Sequence, residues 1–302
     1  MSEEINEFND ANSFLAADIN VEETGFGSQF PLIQWVNGDP SKKAAGGIAY
    51  TGGFFISADA GVEKPKGFED VTLHTQDGEE IKGFGTRDLK DVAIIRHRRC
   101  WMSDPGDNGL VMRFGWNDYE SADGYGKPRG VAHLLIGLKG VDETFLLSFR
   151  GMTAKAVMGM GRDRGIVPTF SQVIHGAAKR EARKNKMNKA FPLCAFRLNI
   201  GPDRTDKGEP VFKTVGSGSN TSKITLPVWT DSVDGVISNA ELQRRYVGNE
   251  ALGVYQDTHR EAEEWVHAWD SETLAQRAGR SSGTPIAAPA TDDTPGENKA
   301  PF

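Results

Sequence analysis

Apolar residues along this chain come in short runs separated by glycine and charged pairs, the spacing of strands rather than of long helices. "FPLIQWV" opens the series with a strand at Leu32 to Val36, and "GGIAYTGGFFIS" at 46–57 continues it. "VTLHT" and "EIKGF" flank Gln76-Asp77-Gly78-Glu79. The Asp-Gly step predicts a tight hairpin there, because a primed turn needs positive φ and glycine supplies it. Further strands are expected at 92–102, near 110–114, at 131–138 ("VAHLLIGL") and at 144–149 ("TFLLSF").

The period then lengthens. "GMTAKAVMGM" and "TFSQVIHGAAKREARKNKMNKA" have helical composition, with Pro168 placed near a helix start. Strands return in "FPLCAFRLNI", around "PVFKTV" and in "SKITLPVW". From Ser238 the pattern is helical again: Ser238 or Asn239 caps "AELQRRYVG", and Leu252, Tyr255, Ala262, Val266 and Trp269 fall on one apolar face. After Gly279 the text is dominated by Pro, Gly, Ser and Thr and offers little to bury.

Many short strands followed by helices predict an α+β fold, mainly β, with an OB-like partly open β-barrel elaborated by helices; a β-sandwich fits the same pattern. The expected organisation is a flexible acidic segment at 1–28, a β-rich core at 29–236 with an inserted basic helix, C-terminal helices at 237–278, and a disordered acidic tail at 279–302. Thirty-five glycines among 302 residues agree with many turns.

Charge changes this picture because it is unevenly placed. The net charge is −7, yet residues 1–24 hold seven acids and no Lys or Arg, and residues 256–302 hold nine acids against four bases. Removing those sixteen acids and four bases from totals of 42 and 35 leaves 26 acids and 31 bases in the middle, a balance of +5. A basic body with acidic ends points to a polyanionic partner. No run of about 18 apolar residues is present, and "MSEEINEFND" is acidic where a secretory signal would be basic then apolar. The expectation is a cytoplasmic protein that makes no use of a membrane.

Enzymatic signatures are sparse. GxSxG, HExxH, the Walker A pattern and paired-cysteine motifs are all missing, and Cys100 and Cys194 lie far apart. "GMGRDRG" at 159–165 lacks the Lys-Ser/Thr ending of a phosphate loop and reads as a connection between helices. His259, Glu263 and His267 share a helix side, but their neighbours Arg260, Glu261 and Glu264 make it a solvated face. No catalytic residue, metal or cofactor is therefore assigned. The enzyme alternative is a metal-dependent nuclease using Asp88, Asp91, Asp104 and Asp107.

Two basic stretches carry the binding expectation. In "HGAAKREARKNKMNK", six bases face the single acid Glu181, and helical spacing gathers Lys179, Arg180, Arg183 and Lys184. In "IIRHRRCWM", strand alternation puts Arg96 and Arg98 on one side, with His97, Arg99 and Trp101 on the other. The expected roles are phosphate contacts from Arg96, Arg98, Arg99 and the helix, with base stacking on Trp101, Trp35, Tyr50 and Phe54.

The last residues, "TDDTPGENKAPF", resemble the tail of bacterial and phage single-stranded DNA-binding proteins, which end in an acidic segment closed by an aromatic residue. In that resemblance Asp292, Asp293 and Glu297 correspond to the acidic part and Pro301-Phe302 to the tip, with Lys299 and Ala300 interrupting the match. A β-rich core, a basic middle and such a tail are together similar to phage or plasmid single-strand binders. That resemblance implies coating of single-stranded DNA with little sequence preference, no cofactor, and recruitment of replication or recombination proteins through the tail, in the host cytoplasm. Self-association is left open. The alternative from a different class is a phage or plasmid structural or protein-interaction component that binds no nucleic acid.

Overall fold

The computed structural model describes residues 30–42, 46–74, 79–105, 111–160, 164–184, 192–217, 220–231 and 237–266. The expected acidic segment at 1–28, the tail at 279–302 and its residues Asp292, Asp293, Pro301 and Phe302 lie outside them. Twelve strands are described: β1 (Leu32–Val36), β2 (Gly53–Ser57), β3 (Glu69–His74), β4 (Glu80–Thr86), β5 (Leu89–Asp104), β6 (Met112–Gly115), β7 (Lys127–Leu138), β8 (Thr144–Arg150), β9 (Arg197–Pro202), β10 (Phe212–Ser217), β11 (Asn220–Thr225) and β12 (Pro227–Trp229). The helices are α1 (Gly47–Thr51), α2 (Tyr119–Tyr125), α3 (Gly151–Met158), α4 (Ile166–Lys184), α5 (Asn239–Arg245) and α6 (Asn249–Glu261). The architecture is α+β, with strand residues outnumbering helical ones.

Contacts divide the chain into two compact units, 1–99 with 130–262 and 100–129 with 263–302. In the first unit the sheet order is β12-β9-β5-β7-β8-β1-β2-β4-β3, so among the described residues the sheet is open, with β12 and β3 at its edges. β1 pairs antiparallel with β2, Trp35 opposite Phe54, and parallel with β8, Ile33 beside Leu147. β10 and β11 form a separate antiparallel pair.

The uninterrupted apolar runs "VAHLLIGL" and "TFLLSF" become the middle strands β7 and β8, where Gly130–Leu138 and Phe145–Phe149 are all buried. A strand covered on one face only would alternate; burial throughout means both faces are covered. On one face Ala132, Leu134 and Ile136 join Phe145, Leu147 and Phe149, packed by Ala154 and Val157 of α3 and by Phe170, Ile174 and Ala177 of α4. Each fully buried Phe or Leu there is worth about 1.5–3 kcal/mol. On the other face Gly137 sits under α6: a Cβ on it would fall 2.4 Å from the Tyr255 ring, so the helix approaches only because glycine stands there.

Local chemistry explains the connections. Ser238 caps α5 as expected, its Oγ accepting from the Glu241 amide at 3.2 Å. Gly159 and Gly165 flank the connection between α3 and α4: Gly159 is left-handed at φ 62°, and a Cβ on Gly165 would lie 2.1 Å from the Gly159 nitrogen. One expectation is corrected. The first part of 46–57 is the one-turn helix α1, not strand, because Gly46, Gly47 and Gly52 adopt positive φ and break the extended run.

The second unit holds the last part of β5, paired with β6 from Cys100↔Gly115 to Ser103↔Met112, and α2. Met112, Phe114 and Ala122 form its small core, and Ser103 Oγ donates to the Ala122 carbonyl at 2.6 Å.

One carboxylate ties β9, β12 and α5 together in the first unit. Asp231 accepts from the Asn199 amide (2.8 Å), Asn199 Nδ2 (2.6 Å), Trp229 Nε1 (2.7 Å) and Arg245 Nη1 (2.8 Å). Burial pushes its pKa up, but the hydrogen bonds from Arg245, Trp229 and Asn199 outweigh that and hold it below the ordinary carboxylate value. A depressed folded-state pKa contributes stability that is present above the unfolded value, about 3.9, and is lost as pH falls through the folded value. Asp231→Asn removes one of the two carboxylates on the buried Arg245, Glu241 remaining at 2.8 Å, and is expected to cost about 1–3 kcal/mol, read as a lower urea midpoint at pH 7. The acid-side fall in stability should be shallower in the variant; an unchanged midpoint would remove Asp231 from this role.

Candidate nucleic-acid interface

The arginine-rich strand is largely structural. Arg96 Nη1 donates to the His259 carbonyl at 2.6 Å, in the last turn of α6, where a cation complements the helix dipole. Arg98 is buried at 8% exposure, with Nε 3.3 Å and Nη2 3.2 Å from His133 Nδ1. Both guanidinium nitrogens can only donate, so Nδ1 accepts and the neutral ring carries its proton on Nε2. Arg99 is exposed. His97 is exposed too, but desolvation of its ring, then the charges of Arg99 and Arg96, hold its pKa below the ordinary histidine value. It adds no cation at neutral pH.

These placements limit what the arginine-rich strand can offer a phosphate. His133 lies on the face of β7 opposite Leu134, whereas α4 packs on the Leu134 face. Arg98 and the basic helix therefore belong to opposite faces of the sheet, and Arg98 is not open to a phosphate. The stacking residues are corrected as well. Phe54 is fully buried and Trp35 is 5% exposed, their rings edge to face at 5.0 Å, with Trp35 Nε1 donating to Asn37. Tyr50 is half-buried with Phe212 6.2 Å away. In the second unit Trp101 is stacked on Trp116 at 4.5 Å and donates Nε1 to its carbonyl, so one ring face and its donor are occupied. Trp35 and Phe54 fill the interior instead of lining a surface.

The basic helix keeps its expected character. Lys179, Arg180 and Arg183 are exposed near the end of α4, and Arg180 Nη2 also reaches the Ile237 carbonyl at 3.1 Å. Lys184 is the last residue of α4. Lys179 and Arg183 make no ion pair among the described residues.

A second cationic site escaped the sequence reading. Where β4 and β7 end and β3 and β5 begin, a cleft of about 470 Å³ is rimmed by Lys66, Arg87, Lys90 and Lys139, with Ile48, Val71 and Val141 among its apolar lining. All four cations are exposed, and none makes an ion pair among the described residues. Two acids line it: Asp88 is held by Arg204 at 3.0 Å, and Glu69 is exposed. Gly85 lets the floor close, since a Cβ there would meet Ile48 Cδ1 at 2.7 Å and Val71 Cγ2 at 2.8 Å. In sequence each cation is masked by a nearby acid, as in "KGFED", "RDLKD" and "KGVDE", so no basic window appears. The available signal was position: Lys66, Arg87 and Lys139 each lie within two residues of a glycine beside a strand end.

The acids of the nuclease alternative are placed separately as far as they are described. Asp88 pairs with Arg204, Asp91 uses its amide to reach Asn199 Oδ1, and Asp107 lies outside the described residues. His267 also lies outside them. Among the described residues no group of three His, Cys, Asp or Glu is placed to hold a metal, and no helix is long and apolar enough to cross a membrane. No family model, curated protein or solved structure matches the chain.

The two kinds of arginine separate in a stability measurement. Arg98→Ala strips a buried imidazole nitrogen of its donor and is expected to lower stability by about 1–3 kcal/mol, whereas Lys179→Ala at an exposed site should leave the urea midpoint nearly unchanged. Equal midpoints for the two variants would contradict the interior role of Arg98.

Proposed function

We propose that this protein binds single-stranded DNA through phosphate contacts, with little sequence preference and without catalysis. The observation that carries the proposal is a set of exposed cations with no carboxylate partner among the described residues, Lys179 and Arg183 on α4 and four more around the cleft, in a chain whose net charge is −7. Clustered like charges repel, and a protein keeps them unpaired at a cost that a polyanion removes by releasing its counterions. A single strand is favoured over a duplex because the cleft joins its cationic rim to an apolar floor, and only an unpaired base can lay its face on such a floor.

The proposal keeps Arg99, Lys179, Arg180, Arg183 and Lys184 as phosphate contacts and drops Arg96, Arg98, Trp35 and Phe54. An OB-like use of the scaffold, a strand-lined groove for a single strand, is part of it. So is recruitment of replication or recombination proteins by Asp292, Asp293, Pro301 and Phe302, on the resemblance of the tail alone, in the cytoplasm of a host cell.

Titration of a fluorescent oligo-dT with the protein at several salt concentrations tests this. Affinity should fall steeply with salt, and Lys179→Ala/Arg183→Ala should weaken binding and reduce the log–log salt slope by about 1.4, two contacts at about 0.7 each for a single strand. Binding that is undetectable at low salt, or indifferent to salt, would end the proposal in favour of a protein-interaction component.

A further inference from the structure

The cleft differs from the helix surface in being a bounded concavity, and that difference says what fits it. Its volume of about 470 Å³ falls within the range of small-ligand sites, about 300–1,000 Å³. The rim places one guanidinium, Arg87, with three ammonium groups, Lys66, Lys90 and Lys139. Lysines offer point charges, while an arginine fork matches two oxygens of one phosphate. Below them the apolar side chains of Ile48, Val71 and Val141 offer no charge to an anion. A small inorganic anion would leave that floor uncovered, and a purely acidic peptide has nothing flat and apolar to lay on it.

We infer that this cleft is a discrete nucleotide site, holding one phosphate ester on Arg87 and the three lysines with its base against the Ile48–Val71 floor. The inference rests on the reading above only in taking nucleotides as the ligand; it does not need the α4 surface.

Neighbouring structure supports a preformed site. The potential competitor on the rim, Asp88, is neutralised by Arg204, and nearby Asp70 is held by Lys64 at 2.6 Å, so both carboxylates have partners before any ligand arrives. The remaining Glu69 carries one negative charge against four positive ones. A Cβ on Gly46 would lie 3.9 Å from Arg87 Nη2, and one on Gly47 would meet nothing within 4 Å, so the backbone entering α1 leaves open space beside the guanidinium. Clefts lined by one sign of charge above low-dielectric walls concentrate the field on the bound anion.

Two sources share this chemistry, a nucleotide within a DNA strand and a free nucleotide, and calorimetry on the full-length protein separates them. The probes are dTMP, inorganic phosphate, oligo-dT and poly-glutamate, each titrated into wild type and into Arg87→Ala/Lys139→Ala. Wild type should bind dTMP saturably at one site, more tightly than inorganic phosphate, and the double variant should lose at least tenfold in dTMP affinity with an unchanged melting temperature. Competition between dTMP and oligo-dT, both weakened in the variant, assigns the cleft to the strand. Saturable, cleft-dependent dTMP binding without oligo-dT binding upholds the site with free nucleotide as its source and ends the single-strand proposal. Oligo-dT binding that is unaffected by the double variant, with no saturable dTMP binding, overturns the cleft inference and leaves the α4 surface as the interface. Displacement of dTMP by poly-glutamate at equal charge concentration also overturns it, since charge alone would then suffice.

Discussion

Burial of β7 and β8 on both faces is the constraint from which the rest of this structure follows. Once α3 and α4 cover one face and α6 reaches the other, every residue from Gly130 to Leu138 is buried, and a polar group there needs a partner inside. His133 is such a group, and Arg98 is its answer. Charges that no internal partner can take are left for the strand ends, where the layers stop. Arg87, Lys90 and Lys139 all lie at such ends, just after β4, just inside β5 and just after β7. The cationic cleft is thus a product of how the sheet terminates.

The same constraint explains why a run of arginines on β5 is a poor guide to a surface. A long strand that leaves a two-sided core has to settle its neighbours before it can serve a ligand. Arg96 is spent on the end of α6, and Arg98 on a buried imidazole. Arg99 and His97 face out, but only Arg99 is cationic at neutral pH, because His97 is pressed toward its neutral form. Four near-cationic residues in sequence reduce to one exposed charge in space.

The strands were legible because their signal is local. Leu32–Val36 matches its predicted bounds, and the runs at 131–138 and 144–149 need only a few residues of extension. Ser238 announced its helix for the same reason: a cap is read within four residues. What could not be read was anything set by partners far along the chain. The helix α1 replaces a predicted strand because three positive-φ glycines outweigh the apolar pattern between them. Trp35 and Phe54 are 19 positions apart and become an edge-to-face core pair only through the β1–β2 register. The cleft joins residues from 47 to 141, each cation sitting in a locally neutral window, so no sequence window contains it.

Net charge and local charge then act over different distances. At physiological ionic strength the interaction between exposed charges decays over about 8 Å, so a rim cation responds to the groups beside it and hardly to acids far from it. Around the cleft those near groups are Lys66, Arg87, Lys90 and Lys139 with Glu69, since Asp88 is already engaged by Arg204. A chain carrying −7 can therefore present a positive surface to an anion within a few ångströms. Under the proposed function, the two cationic sites would hold a strand differently. Exposed lysines on a rim give affinity that salt removes, whereas an apolar floor gives contacts that salt leaves intact, so the cleft and α4 differ in kind as well as in place.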